Sequence, residues 1–370
     1  MSYAGSGVDY DSMDPFKRQA QKLGRETARN VSRLNGGEFV ELLMSRGESC
    51  YLIEAAKSYF GHVEEGLGTK NLVADAMYAL TGRSYYDHIA QDTVAMIVND
   101  MATAGAVPLS IAMHLAVGDS DWFKDERRAT DLLTGWKRAC DLSGAIWGGG
   151  ETPTLKDVVY PNAVVLSGSA FGIVKPKERL IRSRIRDGDS IIAVESSGIH
   201  ANGLTLARKI ADRLPDGYLT TMNDGRSYGD ALLDPTIIYV RMIEKCLDAS
   251  IDIHYAVNVT GHGWRKLMRA NEPFSYEIEN LAHVPQVFRF MQQHAAMDDR
   301  AMYETFNMGV GFVLYVPAEQ ADAALMLINR ADVPSPWRAY EAGRVRTNDR
   351  KQVVIKPLGI TFDADTLQVR

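Results

Sequence analysis

The 370-residue sequence has few cysteines, no excess of basic residues and no long run of apolar residues. Its three cysteines, Cys50, Cys140 and Cys246, form no CxxC pair, which argues against a disulfide framework or a structural zinc site. The net charge of −6 excludes a broadly basic nucleic-acid-binding protein, although it allows a local phosphate pocket. No run approaches 18 apolar residues and the start lacks an apolar signal core, so we expect no membrane span and a reducing, cytoplasmic setting.

The composition supplies enough apolar residues for a large core, with 46% hydrophobic and 24% charged residues. At roughly 150 residues per domain, the length favours two domains. The charged, proline-containing segment 175–179 follows a predicted strand and is the best candidate for the boundary. We therefore expect a flexible N-terminal arm over residues 1–20, a first domain over residues 21–175 and a second domain over residues 176–370.

The apolar periodicity predicts strands that alternate with helices in both halves, which indicates an α/β or α+β fold. The first predicted helix begins after Asp14, with Pro15 at its first position. Further helices are predicted over residues 89–105, 129–143, 204–214 and 235–249. Strands are predicted over residues 51–54, 109–117, 163–174, 190–195, 308–316 and 353–360.

Several acidic residues lie beside glycine turns or on the polar face of the predicted helix 89–105. They are Glu64, Glu65, Asp92, Asp100 and Glu151. Magnesium prefers a few carboxylate oxygens and takes water and phosphate oxygens as its other ligands. Carboxylates beside exposed backbone N–H groups are thus the pattern of a magnesium–nucleotide site, provided that the fold brings them together. The alternatives are a bare turn at residues 64–70 and solvent-exposed carboxylates elsewhere.

The segment Ser-Ser-Gly-Ile-His-Ala-Asn-Gly, residues 196–203, lies between a predicted strand and a predicted helix. Backbone N–H groups at a helix N-terminus bind anions, and Ser197, His200 and Asn202 add hydrogen-bond donors. The alternative is a helix cap through Ser197 or Asn202, with His200 as a structural hydrogen-bonding residue. Two more glycine turns, at residues 260–264 and 307–311, either permit close approach of the backbone to a ligand or are turns alone.

Seven segments carry motifs whose combined order along the chain is highly specific. They are SYAGSGVDYD at 2–11, EGLGTK at 65–70, DTVAMIVNDMATAGAVPL at 92–109, GGGETPT at 148–154, SSGIHANGLTLARK at 196–209, DPTIIYV at 234–240 and TFNMGVG at 305–311. With these segments, the chain resembles the aminoimidazole ribonucleotide synthetase family, also called phosphoribosylformylglycinamidine cyclo-ligases. The resemblance runs from Ser2 to about Gly343.

The resemblance implies an N-terminal domain that dimerises through a shared β-barrel and a C-terminal α/β domain. It also implies a reaction in which ATP phosphorylates the formyl amide oxygen of formylglycinamidine ribonucleotide. A nitrogen nucleophile then closes the imidazole ring and expels phosphate. The expected cofactors are ATP and Mg²⁺, and the expected partners are a phosphorylated small molecule and a second copy of the chain, rather than nucleic acid or a membrane.

The resemblance also implies roles for individual residues. The ATP-binding residues would be Glu65, Gly66, Gly68, Thr69, Lys70 and Asp92. The metal ligands would be Glu65, Asp100 and Glu151. The substrate-binding residues would be Ser197, Gly198, Asn202, Asn307 and Gly309, and the catalytic residues would be His200, Asp100 and Lys70. For His200, donation to a transferring phosphoryl oxygen and bracing of the loop are both open.

Three departures from the family pattern bear on substrate specificity more than on fold or ATP use. Glu65 stands where the family has aspartate, the sequence Pro-Thr-Leu-Lys at 153–156 replaces Glu-Met-Pro-Gly, and His262 replaces the middle glycine of Thr-Gly-Gly-Gly-Phe. The chain also continues past the usual end of the family. Two alternatives therefore stay open: a divergent ATP-dependent enzyme acting on another amide or phosphate acceptor, and a non-catalytic nucleotide-binding subunit.

Overall fold

The computed structural model describes residues 10–281, 283–330 and 337–367 and consists of two α/β halves, each built on one β-sheet. The first sheet contains β1 Val40–Glu41, β2 Tyr51–Glu54, β3 Tyr59–Gly66, β4 Val107–Val117, β5 Ile146–Glu151 and β6 Val164–Val174, in the order β1-β2-β3-β6-β4-β5. The second contains β7 Ser190–Glu195, β8 Tyr255–Asn258, β9 Phe274–Ile278, β10 Val310–Val316, β11 Ala339–Thr347, β12 Gln352–Ile355 and β13 Ile360–Asp363, in the order β13-β12-β9-β11-β7-β10-β8. The predicted two-part α/β architecture is confirmed.

Helices follow the strands in both halves. The first half contains α1 Tyr10–Glu26, α2 Arg29–Ser32, α3 Lys70–Thr81, α4 Tyr86–Ala102 and α5 Glu126–Ser143. The second half contains α6 Leu204–Ala211, α7 Tyr228–Leu232, α8 Val240–Asp248, α9 Gln286–Ala295, α10 Asp299–Thr305 and α11 Ala321–Ile328. Among the described residues, no helix is both long and apolar enough to cross a membrane.

One face of the first sheet is covered by α4, and the other face carries exposed apolar side chains. Burial alternates along β6, as expected for a strand whose side chains point to opposite faces. Val165 is 51% exposed and Phe171 is 46% exposed, whereas Leu166 and Ala170 between them are buried. The ring of Phe60 on β3 stacks on Phe171. The described residues of a single chain therefore leave apolar side chains exposed on this sheet face.

Helix α4 joins the two halves through hydrogen bonds from its side chains. The amide of Asn99 donates to the carbonyl of Ile237 over 2.8 Å and accepts from the backbone N–H of Tyr239 over 2.8 Å. Asp92 accepts from both the backbone N–H and the hydroxyl of Thr236. Residues 235–239 are consequently not helical, and the predicted helix 235–249 begins only at Val240. That prediction was wrong because these backbone groups are bonded to α4.

Three other predicted features differ in the structure. Helix α1 includes Pro15 in its interior, so residues 10–20 are helical rather than a flexible arm, and residues 1–9 lie outside the described residues. The predicted strand 353–360 is two antiparallel strands, β12 and β13, joined by a turn that ends at Gly359 with φ +64°. Glu65, expected in a glycine turn, lies on β3.

Candidate functional site

A cavity of about 630 Å³ lies between the two halves. Its lining includes Glu65, Gly66, Gly68, Thr69 and Asp100 from the first half and Asn202, Thr205, Asn258, Thr260, His262, Lys266 and Arg269 from the second. Met13 and Lys17 of α1 and Leu367 near the C-terminus also line it. The structure thus brings together six of the predicted site residues: Glu65, Gly66, Gly68, Thr69, Asp100 and Asn202.

Two carboxylates lie on the first-half side of the cavity. Glu65 points from β3 toward the cavity, while its neighbour Glu64 is exposed, because side chains alternate along a strand. Burial and the nearby Asp100 carboxylate raise the pKa of Glu65 to about 7. Asp100 accepts a hydrogen bond from Asn258 Nδ2 over 2.8 Å. Two neighbouring carboxylates on one wall of a cavity are a suitable ligand pair for a divalent cation.

Two helix N-termini reach the same cavity. Gly68, with φ +75°, precedes α3, and Gly203, with φ +79°, precedes α6. A side chain at Gly203 would collide with the ring of Phe306, since its Cβ would lie 2.2 Å from a ring carbon. The first N–H groups of a helix have no partner within the helix, and the helix dipole adds a partial positive charge. The cavity therefore offers two sites suited to phosphate groups.

Basic residues from the second half complete the cavity. Arg269 donates to the Gly47 carbonyl over 2.6 Å and to Ser49 Oγ over 2.9 Å. Burial and the nearby Arg269 lower the pKa of Lys266 to about 8. Burial lowers the pKa of His262 to about 4, and its backbone has φ +76°. Sequence reasoning missed Lys266 and Arg269, for which the glycine turn at 260–264 was the only signal.

Glu151 does not join Glu65 and Asp100 within one chain. Glu65 pairs with Gly168 on β6, Gly168 pairs with Met113 on β4, and β5 lies one strand further. Three strand spacings amount to about 14 Å, and Glu151 is exposed on β5. Among the described residues, no three His, Cys, Asp or Glu side chains are grouped to hold a metal. One chain therefore does not assemble the expected three-carboxylate site.

Lys70 and Asp92 lie in the interior between the halves rather than in the cavity. Both side chains are fully buried, and Lys70 Nζ lies 2.8 Å from Asp92 Oδ2. The ammonium also donates to the carbonyls of His200, over 2.9 Å, and Asp234, over 2.8 Å. Three acceptors match its three protons. The hydrogen bonds of Lys70 to His200 and Asp234 therefore link the first half to the second.

His200 is buried, and its ring does not line the cavity. Its Nε2 accepts from the backbone N–H of Ser197 over 3.3 Å, and its ring packs beside Tyr239. Burial and the nearby Lys70 lower the pKa of His200 to about 3, so the imidazole is neutral near pH 7. Of the two roles left open by the sequence, this arrangement corresponds to bracing of the loop.

Four further predicted residues take part in hydrogen bonds that hold the loop 196–203 in place. They are Ser197, Gly198, Asn307 and Gly309. Asn307 Nδ2 donates to the Gly198 carbonyl, and the Gly309 N–H donates to Asn307 Oδ1, each over 2.9 Å. Ser197 Oγ donates to the Pro235 carbonyl over 2.6 Å. These four residues do not line the cavity. Their contacts hold the loop in the shape that brings Asn202 and Gly203 to the cavity wall.

The fold and the site define a two-domain α/β protein with a polar cavity between its halves. Family models described as AIR synthase related protein, N-terminal domain, and AIR synthase related protein, C-terminal domain, match residues 65–174 and 186–356. The chain belongs to the AIR synthase related family. The resemblance found in the sequence is therefore confirmed.

Similar proteins support this membership over nearly the whole chain. The phosphoribosylformylglycinamidine cyclo-ligase of Thermococcus kodakarensis is 32% identical over 345 residues, which cover 93% of this chain and 95% of the relative. The protein of the same name from Pyrococcus furiosus is 32% identical over 362 residues, which cover 98% and 99%.

Two solved structures share the fold. A chain of the HypE–HypF complex matches with a TM-score of 0.59 at 15% identity, covering 87% of this chain and 94% of that chain. The hydrogenase maturation protein HypE in complex with ATP matches with a TM-score of 0.54 at 17% identity, covering 74% and 78%. At these identities the likeness concerns the fold alone.

Proposed function

We propose that the protein is an ATP-dependent cyclo-ligase of purine biosynthesis, which converts formylglycinamidine ribonucleotide to aminoimidazole ribonucleotide and releases ADP and phosphate. The names and coverage of its relatives support the activity. The observation that carries the proposal is the cavity, in which Glu65 and Asp100 face two helix N-termini and a set of basic residues. A protein of the same fold, HypE, has been solved in complex with ATP, which supports ATP as the nucleotide.

The proposed chemistry explains why such a cavity is needed. An amide oxygen is a poor leaving group, and transfer of the γ-phosphoryl group of ATP makes it a good one. The bond from that phosphorus to ADP breaks and a bond to the formyl oxygen forms. A nitrogen of the substrate then attacks the activated carbon, and the oxygen leaves with the phosphate. Such a reaction depends on positioning two phosphorylated molecules and on neutralising their charge.

The residues of the cavity fit a magnesium ion. Glu65 and Asp100 supply carboxylate oxygens, and a cation bound beside them would oppose the burial and the Asp100 charge that raise the pKa of Glu65. Bound Mg²⁺ would neutralise part of the charge on the phosphates of ATP. The N-terminus of α3, beside Thr69, and the N-terminus of α6, beside Asn202 and Thr205, would bind phosphate groups.

We further propose a homodimer in which a second copy covers the apolar face of the first sheet. Val165 and Phe171 are exposed on this face, and burying them against an equivalent face would remove apolar surface from water. Glu151 lies on the edge strand of the same sheet, so its role as a metal ligand stays a prediction for the assembled dimer. A reducing cytoplasm suits the three free, buried cysteines.

His262 favours a second candidate, an ATP-dependent family member that acts on a different acceptor. Its side chain lines the cavity at a position where the family motif has glycine. Purified protein incubated with ATP, Mg²⁺ and formylglycinamidine ribonucleotide distinguishes the candidates. The first predicts aminoimidazole ribonucleotide and ADP in equal amounts. ADP release that requires another phosphorylated acceptor would favour the second, and no turnover with any acceptor would favour a nucleotide-binding subunit.

A further inference from the structure

Lys266 is a cavity cation that forms no direct ion pair with a carboxylate of the described residues. Its Nζ contacts Thr260 Oγ1 and lies 3.4 Å from the carbonyl of Asn258. In the part of the chain that the structure describes, no carboxylate oxygen lies within 4 Å of this ammonium. The ammonium of Lys70, in contrast, has an ion pair and two carbonyl acceptors at 2.8–2.9 Å.

A partly buried ammonium without a direct ion pair destabilises the unliganded protein, and the more distant carboxylates of Asp100 and Glu65 offset only part of that cost. Burial removes water from the charge, and the guanidinium of Arg269 nearby disfavours it further, so the pKa of Lys266 is low for a lysine. An anion bound in the cavity would offset this cost. Because one proton of the ammonium has no acceptor among the described residues and the Asn258 contact is long, Lys266 can still donate to such an anion.

Asn258 connects this cation to the proposed metal ligands. Its side-chain Nδ2 donates to Asp100 Oδ1 over 2.8 Å, and its carbonyl is the distant acceptor of Lys266. One residue therefore sets the separation between the carboxylate side of the cavity and its cation. A phosphoryl group bound between a metal at Asp100 and Glu65 and the ammonium of Lys266 would have positive charge on two sides, as phosphoryl transfer requires.

We propose that Lys266 contacts the phosphoryl group in transit from ATP to the amide oxygen, whereas the sequence resemblance implied binding of the ATP phosphates for Lys70 and left donation to the transferring group open for His200. This assignment rests on the proposed function for the identity of the transferred group. Lys266 stays protonated throughout and stabilises the phosphoryl oxygens by charge and hydrogen bonding. No proton of the Lys70 ammonium is left for a phosphate, because its three acceptors belong to the protein.

Two substitutions at Lys266 and one control test the assignment. Lys266→Gln should lower kcat by about 10²-fold or more while the melting temperature stays unchanged or rises, since a charge that burial and Arg269 disfavour is removed. Lys266→Arg keeps the charge, so its kcat should be at least about tenfold higher than that of Lys266→Gln. Lys137→Gln, which removes an exposed lysine paired with Asp141, should leave kcat unchanged. A wild-type kcat in Lys266→Gln, or equal loss in both Lys266 variants with a lowered melting temperature, would overturn the assignment.

Phosphate binding separates this assignment from the proposed function. Inorganic phosphate is titrated calorimetrically into the full-length protein with ADP and Mg²⁺ present and no purine substrate. Binding to the wild type that weakens at least about tenfold in Lys266→Gln supports Lys266 even if no aminoimidazole ribonucleotide is ever formed. If the wild type closes the ring and Lys266→Gln keeps the wild-type phosphate affinity and kcat, the assignment of Lys266 is overturned. The proposed function then still stands. A wild type that binds no phosphate and forms no product would overturn both.

Discussion

The ammonium of Lys70 lies 2.8 Å from a carboxylate oxygen of Asp92, and both side chains are completely buried between the two halves. The same ammonium donates hydrogen bonds to the carbonyls of His200 and Asp234 in the second half. Removing one partner from such a pair leaves a buried charge without compensation, whereas replacing both partners is far less costly. Lys70 and Asp92 are therefore one structural unit that links the halves.

Lys70→Met should lower the free energy of unfolding by about 3–5 kcal/mol, because Asp92 would be left buried and unpaired. The double variant Lys70→Met with Asp92→Asn should recover part of this loss. Chemical denaturation of the two variants and the wild type measures the effect, with Lys137→Met at the exposed pair to Asp141 as a control that should change little. Wild-type stability combined with lost ATP binding in Lys70→Met would instead support the phosphate-binding role implied by the resemblance.

The sequence predicted the parts of the fold that local patterns determine. The strands Tyr51–Glu54 and Ser190–Glu195 were predicted with their observed bounds, because their apolar runs are short and end at polar residues or turns. The helical prediction for residues 235–239 failed because side chains of α4, more than 130 residues away, bind that backbone. The local apolar periodicity of a segment does not predict hydrogen bonds to residues so distant in sequence.

The same distinction applies to the candidate site. Glu65, Asp100 and Asn202 reach the cavity, and each stood beside a glycine turn or on a polar helix face in the sequence. The separation of Glu151 from Glu65 depends on strand order, which the motif sequence does not contain. Lys266 belongs to no phosphate-binding motif, and only the fold places it opposite the carboxylates.

Asp100→Asn should lose most ATP-dependent turnover without unfolding, and Glu65→Gln should raise the Mg²⁺ concentration needed for half-maximal rate. Each change removes charge that would hold the metal, at a cost of several kcal/mol of transition-state stabilisation. Steady-state rates across a Mg²⁺ titration measure both effects. Asp141→Asn, at an exposed carboxylate of α5 paired with Lys137, is the control and should behave as the wild type. Unchanged turnover in Asp100→Asn would refute the assignment of Asp100.

Because His200 is buried and neutral, we expect the free energy of unfolding to fall in acid. The folded protein keeps its imidazole neutral down to about pH 3, whereas the unfolded chain takes up a proton below a pKa of 6.5. The contribution of His200 is therefore complete above pH 6.5 and is lost as the pH falls toward 3. His200→Asn, which also tolerates the positive φ of 56°, should show a shallower decline of unfolding free energy between pH 7.5 and 5. Identical slopes for variant and wild type would show that the ring titrates normally.

The uncovered face of the first sheet predicts the oligomeric state. Light scattering at low micromolar concentration should give about twice the 40.9 kDa mass of the chain. Phe171→Glu should yield monomers, because a charge would be buried in an apolar interface. Leu80→Glu, at a residue of α3 that is 53% exposed, should leave the dimer intact. A monomeric wild type would contradict both the dimer and any role of Glu151 in a shared site.

The fate of the formyl oxygen shows whether the phosphoryl group of ATP is transferred to the substrate before ring closure. Substrate labelled with ¹⁸O at that oxygen is converted with ATP and Mg²⁺, and the released phosphate is analysed by mass spectrometry. If the phosphoryl group passes from ATP to the amide oxygen before ring closure, one ¹⁸O atom should appear in the phosphate for each aminoimidazole ribonucleotide formed. Product formation with unlabelled phosphate, or no product from the folded wild-type protein, would contradict the account.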